Sequence, residues 1–154
     1  MSKSVRVILI LLLVTAGILN QADRQIIALL KPVMEAELGW SDAVYGTLVA
    51  AFQLAAALAF PLAGWFVDRV APKWANALAV GSWSIAAAAH GIASSFGQFL
   101  TARVTLGATE ALGTPITIKT LAVMFQDARD RSFYLGLMGG VGGIGAITVP
   151  FIVP

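Results

Sequence analysis

Residues 43–67 read AVYGTLVAAFQLAAALAFPLAGWFV. This is about 25 residues without a charge, and about 20 apolar residues in a helix cross the hydrocarbon of a bilayer. Ser41 or Asp42 is placed to cap its start, and Asp68-Arg69-Val70-Ala71-Pro72-Lys73 stops it in a tight turn. Working outward, the same pattern recurs. A first segment over 5–31 opens after Lys3 and Arg6 with an apolar run over 7–19, which alone has the charged front and hydrophobic middle of a secretory signal. No polar mature domain follows it. Asn20-Gln21-Ala22-Asp23-Arg24-Gln25 leads back into Ile26-Ile27-Ala28-Leu29-Leu30, so one long helix interrupted by polar residues is expected to end near Lys31-Pro32. A third crossing is expected over 74–93, then the uncharged turn Ser94-Ser95-Phe96-Gly97. A fourth over 98–125 carries Arg103, Glu110, Pro115 and Lys119, and a hydrophilic stretch over 126–132 precedes a Gly-rich fifth segment over 133–154.

Composition agrees with several crossings. Of 154 residues 58% are hydrophobic and only 12% charged, about half the charged share of a soluble domain. Such a chain cannot cover a water-facing surface, and the expected fold class is all-α, a polytopic transmembrane helical bundle. The formal net charge of +2 carries no basic cluster, so nucleic acid is not an expected partner. With no cysteine and one histidine, a thiol nucleophile and a Cys or His metal cluster are both excluded, and no cofactor is expected. His90 has no convincing nucleophile partner and there is no phosphate loop, so an enzyme is not expected. Six Lys or Arg residues (Lys3, Arg6, Arg69, Lys73, Arg129, Arg131) fall on one side of the expected crossings and Lys31 on the other, which puts the N-terminus in the cytoplasm. The chain stops within an apolar run and is expected to be the front part of a longer protein.

Five charges lie inside the crossings: Asp23, Arg24, Arg103, Glu110 and Lys119. Each costs roughly 2.5–3.5 kcal/mol at the bilayer centre, so they are expected to face inward, toward partners or a wet cavity. Arg103 and Glu110 are about two turns apart and share a helix face, about 10 Å apart along the axis. With the first helix ending near Lys31, Asp23 lies about 12 Å from its outer end, and Arg103 and Glu110 lie about 8 and 18 Å from the outer end of the fourth. The four charges then share one slab of membrane. An incoming carboxylate can take a bidentate contact from Arg24 or Arg103, and the acid it displaces is left unpaired and more readily protonated. Internal salt bridges that merely fix helix packing are the alternative. Lys119 lies half a turn out of phase with Glu110 and snorkelling explains it equally well. Gln53 and Tyr45 either line a cavity or bond a neighbouring helix. His90 reads as a packing or interfacial residue, and Trp40, Trp65, Trp74 and Trp83 include several for an aromatic belt. Gly136, Gly139, Gly140, Gly142, Gly143 and Gly145 favour close helix packing.

At the end of the second segment, Gly64-Trp65-Phe66-Val67-Asp68-Arg69-Val70-Ala71-Pro72-Lys73 resembles the loop signature of the major facilitator superfamily, with Ala71 in place of its Gly and Pro72 in place of a basic residue. Within that superfamily the chain looks like the anion:cation symporter family, and most like its hexuronate and sugar-acid permeases. The resemblance is carried by Asn20-x-x-Asp23-Arg24, by Arg103-x6-Glu110-x4-Pro115-x3-Lys119 and by the run from Leu38 to Tyr45. Gln21 and Gly142 depart from many relatives. The resemblance implies two six-helix bundles around a mid-membrane site, of which the first five helices are here and the C-terminal half is missing, with transport by alternating access. It implies protonation at Asp23 and Glu110, a substrate carboxylate gripped by Arg24, and Arg103 paired with an acid. Asn20, Gln53 and Lys119 are the further substrate-binding candidates. Gly64, Asp68, Arg69 and Lys73 would form a conformational latch. The partners implied are a sugar-acid anion such as a hexuronate or aldonate, protons and the lipid bilayer, in a bacterial inner membrane.

Overall fold

The computed structural model describes residues 3–152, side chains at 26, 144–146 and 148–152 excepted. Among these residues the chain forms six α-helices: α1 Lys3–Leu38, α2 Asp42–Arg69, α3 Pro72–Ala89, α4 Phe96–Glu110, α5 Gly113–Met124 and α6 Ala128–Ile152. A single 3-10 turn, His90–Ile92, follows α3. Two of the described helices, α1 and α2, are long and apolar enough to cross a membrane. Positions 153 and 154 of the expected fifth segment lie outside the described residues, as does the setting of Gly145.

Four boundaries differ from the sequence reading, each for a local reason. The first helix does not stop at Lys31 but runs through Pro32 to Leu38. It ends where Gly39 takes φ 65° and its N–H donates to the Glu35 carbonyl at 3.1 Å, a left-handed cap that glycine adopts without steric cost. The fourth segment is not one helix but two, parted at Ala111-Leu112. Pro115 has no N–H to give the Ala111 carbonyl and its ring crowds that oxygen, so the helix opens one turn ahead of it. The Leu112 N–H turns back to the Thr109 carbonyl at 3.2 Å, a tightened i→i+3 closure. Helix α4 starts at Phe96, inside the expected turn. Ser95 Oγ accepts from the Gln98 N–H at 3.4 Å while Gln98 Oε1 reaches back to the Ser94 N–H at 2.7 Å, a capping arrangement. Helix α6 starts at Ala128 within the stretch read as hydrophilic spacer, because the Asp127 carboxylate accepts from the Arg129 N–H at 2.8 Å and caps it. At α2, Ser41 occupies the N-cap position without a side-chain cap bond.

The chain divides into two compact units: residues up to Pro32 with those from Thr117 onward, and Val33–Ile116. In the first, Leu13 of α1, Leu121, Met124 and Phe125 form a buried cluster joined by Leu9, Ile10, Tyr134 and Met138. Phe125 stacks on Tyr134 at 4.5 Å, and the Arg6 guanidinium lies 5.7 Å from the Phe125 ring centre. Arg131 Nη1 donates to the Phe125 and Gln126 carbonyls at 3.2 and 3.0 Å, satisfying oxygens that the end of α5 leaves open. Arg6 and Arg131 thus meet the same residue at one end of this unit.

In the second unit α4 packs against both α2 and α3. Its core is built from Leu48, Phe52, Ala63 and Val67 of α2, Ala75, Ala79, Trp83 and Ala86 of α3, and Ala102 and Leu106 of α4. The outward faces are also apolar. Leu54, Leu58, Leu62 and Trp65 run along α2 at helical spacing, each more than half exposed, and Trp74, Leu78 and Ile85 do so on α3. Hydroxyls on these helices bond their own backbone: Thr101, Thr105 and Thr109 donate to carbonyls four residues back at 2.8, 2.8 and 2.9 Å. A hydroxyl satisfied in this way requires no water.

Candidate functional site

The buried stripe of α4 is Ala102, Arg103, Leu106, Gly107 and Glu110. The intervals of three and four residues place all five on one side of the helix. Arg103 is 6% exposed and Glu110 3%, so an arginine and a glutamate, about 10 Å apart along the axis, occupy the interior position normally held by leucine. Gly107 sits between them. A Cβ there would overlap the Phe52 carbonyl oxygen and lie 3.1 Å from its carbon and 3.3 Å from the Ala56 nitrogen, so the backbones of α2 and α4 touch between the two charged side chains. Only a residue without a side chain permits that approach. The sequence reading passed over Gly107, although its place in the stripe, four after Arg103 and three before Glu110, was a signal.

Glu110 is the last residue of α4, and the break at Ala111-Leu112 follows directly. An acid at the end of a helix broken inside an apolar segment is a recurrent arrangement where membrane proteins place ion and substrate sites. Beyond the break, Gly113 approaches the buried Trp83 ring of α3; a Cβ on it would lie 3.9 Å from Trp83 Cζ3.

At the other end of α4 is an aromatic cluster that sequence reasoning missed. Trp40, from the α1–α2 connection, meets Phe96 and Phe99 edge-on at 6.1 and 5.1 Å, and His90 meets Phe99 edge-on at 6.0 Å. Trp40 therefore binds the start of α4 and is half-buried there, with a packing role beside any interfacial one. His90 Nδ1 lies 3.0 Å from the Ala86 carbonyl and 3.2 Å from that of Ala87.

The remaining candidates are distributed over both units. In the first, Asn20, Asp23 and Arg24 on α1 and Lys119 on α5 are all half-buried. In the second, Gln53 lies on the exposed side of α2 beside buried Phe52. Gly64 is half-buried in α2 with open space where a Cβ would stand. Asp68, Arg69 and Lys73 are exposed at the α2–α3 turn. Arg69 lies 4.2 Å over the Trp65 ring and donates to the Trp65 carbonyl at 3.0 Å, and Lys73 lies 5.4 Å from the Trp74 ring centre. Among the described residues no group of three or more His, Cys, Asp or Glu could hold a metal ion.

Residues 13–154 match the family model described as Major Facilitator Superfamily. The chain is similar to the hexuronate transporter of Escherichia coli (strain K12), 29% identical over 151 residues, covering 98% of this chain and 35% of that protein. It is similar to the probable L-galactonate transporter of the same strain, 28% identical over 148 residues, covering 96% and 32%. A third relative, the galacturonate transporter of Dickeya chrysanthemi, is 29% identical over 142 residues, covering 92% and 41%. The chain therefore spans about a third of the length of the first of these relatives.

Proposed function

Because the chain belongs to the major facilitator superfamily, a family of membrane transporters and not of enzymes, we propose that it is the N-terminal portion of a proton-coupled symporter for a sugar-acid anion, a hexuronate or an aldonate. The observation that carries this reading is the pair Arg103 and Glu110, buried on one face of α4 within an apolar segment. A buried guanidinium supplies a bidentate fork for a carboxylate, and a buried carboxyl supplies a proton site. The names of the three relatives, a hexuronate transporter, a probable L-galactonate transporter and a galacturonate transporter, support the substrate class.

In this reading α4 and α5 together form one broken fourth crossing, and the helices are the first five of a six-helix half in a bacterial inner membrane, N-terminus in the cytoplasm. The C-terminal half of the transporter is the missing partner. Asp23 and Arg24 on α1 are the further proton-coupling and anion-binding groups of this reading. With α1 ending at Leu38, Asp23 is about 22 Å in from that end, and Glu110 about 21 Å in from the start of α4. Arg24 or Arg103 takes the anion's carboxylate, and Asn20, Gln53 and Lys119 are the further substrate-binding candidates. The acid released from its arginine then gains a proton, since an unpaired carboxylate in a low-dielectric site favours its neutral form. Anion and proton cross together, and release of either restores the pairing. Gly64, Asp68, Arg69 and Lys73 latch one of the alternating states at the α2–α3 turn.

The test is uptake by the natural gene product in proteoliposomes with an imposed pH gradient, using labelled galacturonate. One proton per anion supports about tenfold accumulation per pH unit. Glu110→Gln and Asp23→Asn should each abolish gradient-driven accumulation while leaving counterflow exchange. Accumulation that persists in both variants would reject the coupling assignment.

A further inference from the structure

His90 is a half-buried histidine that the coupling scheme above does not use. Its Nδ1 faces two carbonyl oxygens, of Ala86 at 3.0 Å and Ala87 at 3.2 Å. Carbonyls only accept, so Nδ1 must carry the hydrogen and donate to them. In the neutral ring the lone pair is then fixed on Nε2. That nitrogen is buried and has no hydrogen-bond partner among the described residues. The ring rests edge-on against Phe99, one turn before Arg103 on the same helix, and the Arg103 charge acts on it. The structure therefore holds a buried acceptor of fixed tautomer within electrostatic range of a buried guanidinium. Among the described groups, Arg103 is the one whose charge is felt at the ring. The side chain packed against the ring from α4 is Phe99, which Trp40 of the α1–α2 connection meets in turn.

We propose that His90 is a positioning residue for Arg103: its Nε2 lone pair accepts a guanidinium N–H when Arg103 engages an anion and sets the plane of the fork. The donor count of a guanidinium allows both contacts together. A guanidinium has five N–H donors, a carboxylate takes two of them side by side, and others remain for a ring nitrogen. A planar fork is specific only when its plane is fixed, and a bonded neighbour of defined tautomer fixes it as such neighbours fix metal-bound histidines. The backbone carbonyls of α3 in turn hold His90, so the orientation of the anion site is referred back to a neighbouring helix. This inference rests on the reading of Arg103 as an anion-binding group.

Two measurements test it on the natural gene product. In proteoliposomes, His90→Phe keeps a ring against Phe99 but loses the acceptor, and the KM for galacturonate should rise about fivefold at unchanged maximal rate, the worth of one hydrogen bond. His90→Gln restores an acceptor and should return KM to within about twofold of the parent. A KM unchanged in His90→Phe, or a rise that His90→Gln does not reverse, overturns the proposal. Histidine-selective 15N spectroscopy, with the His90 signal assigned by its loss in His90→Phe, reads the ring without transport. It should show hydrogen on Nδ1 and a bare Nε2 whose signal moves on Arg103→Gln. Hydrogen on Nε2, or a signal indifferent to Arg103→Gln, overturns it as well. Should the parent protein fail to take up galacturonate, the transport reading falls and the ring signal still decides whether His90 and Arg103 communicate.

Discussion

Helices α3 and α4 are neighbours in one unit, yet their buried faces are built from different materials. The buried side of α3 is Ala75, Ala79, Trp83 and Ala86, while its exposed side carries Trp74, Leu78 and Ile85. Apart from Trp83 the buried residues are alanines, and large apolar residues face outward, where a soluble helix would be polar. Small residues inside let the helices approach, and large ones outside suit a hydrocarbon solvent as well as a core would. The buried side of α4 holds Ala102 and Leu106 but adds Arg103 and Glu110 around Gly107. Burying two ionisable groups gains nothing in hydrophobic terms and each is costly to desolvate. The contrast is one of cost: α3 is arranged for contact, and α4 buries charge that contact does not require.

The comparison breaks most readily on the outer face. Leu58 is 69% exposed near the middle of α2. On a water-facing surface Leu58→Lys would alter stability by less than about 0.5 kcal/mol. Facing lipid it should cost roughly 2.5–3.5 kcal/mol. Membrane insertion of an α2 segment by translocon assay, with and without the lysine, measures the difference, and a neutral result would contradict the lipid-facing assignment. Next in size is Gly107→Ala, whose new methyl meets the backbone of Phe52 and Ala56 and not a side chain that can swing away. Overpacking of this kind costs about 1–3 kcal/mol. The thermal midpoint of the purified protein should fall accordingly, and Gly107→Leu should fall further.

Much of this organisation was legible in the sequence because it is written in local terms. Uncharged runs flanked by charge place the helices, and a seven-residue interval places Arg103 and Glu110 on one face, because helical geometry carries no tertiary information. What was not legible depended on small backbone events or on contacts remote in sequence. Pro32 reads as a stop in the sequence, whereas α1 passes through it to a glycine at φ 65°. Pro115 was noted inside a continuous crossing, whereas it parts α4 from α5 directly after Glu110. Asp127 looked like spacer and is a helix cap. Trp40 and His90 were each given plain interfacial or packing roles, since nothing in their own neighbourhood reveals Phe99.

The smallest expected effect is the sharpest test of the outward placement of large apolar residues on α3. Leu78 and Ala79 are adjacent on α3, 54% and 1% exposed respectively. In a soluble helix the leucine would be the residue to protect. If the outer face of α3 meets lipid, Leu78→Ala removes side-chain atoms that make few protein contacts, so the folded and unfolded states lose nearly the same contacts. Thermal stability in detergent should therefore stay within about 0.5 kcal/mol of the parent. Ala79→Leu inserts three carbons into the α3 contact face and should cost about 1–3 kcal/mol. If the order is reversed, with Leu78→Ala the more damaging, then Leu78 packs against protein, and the outer face of α3 is a contact surface with the same standing as its inner one.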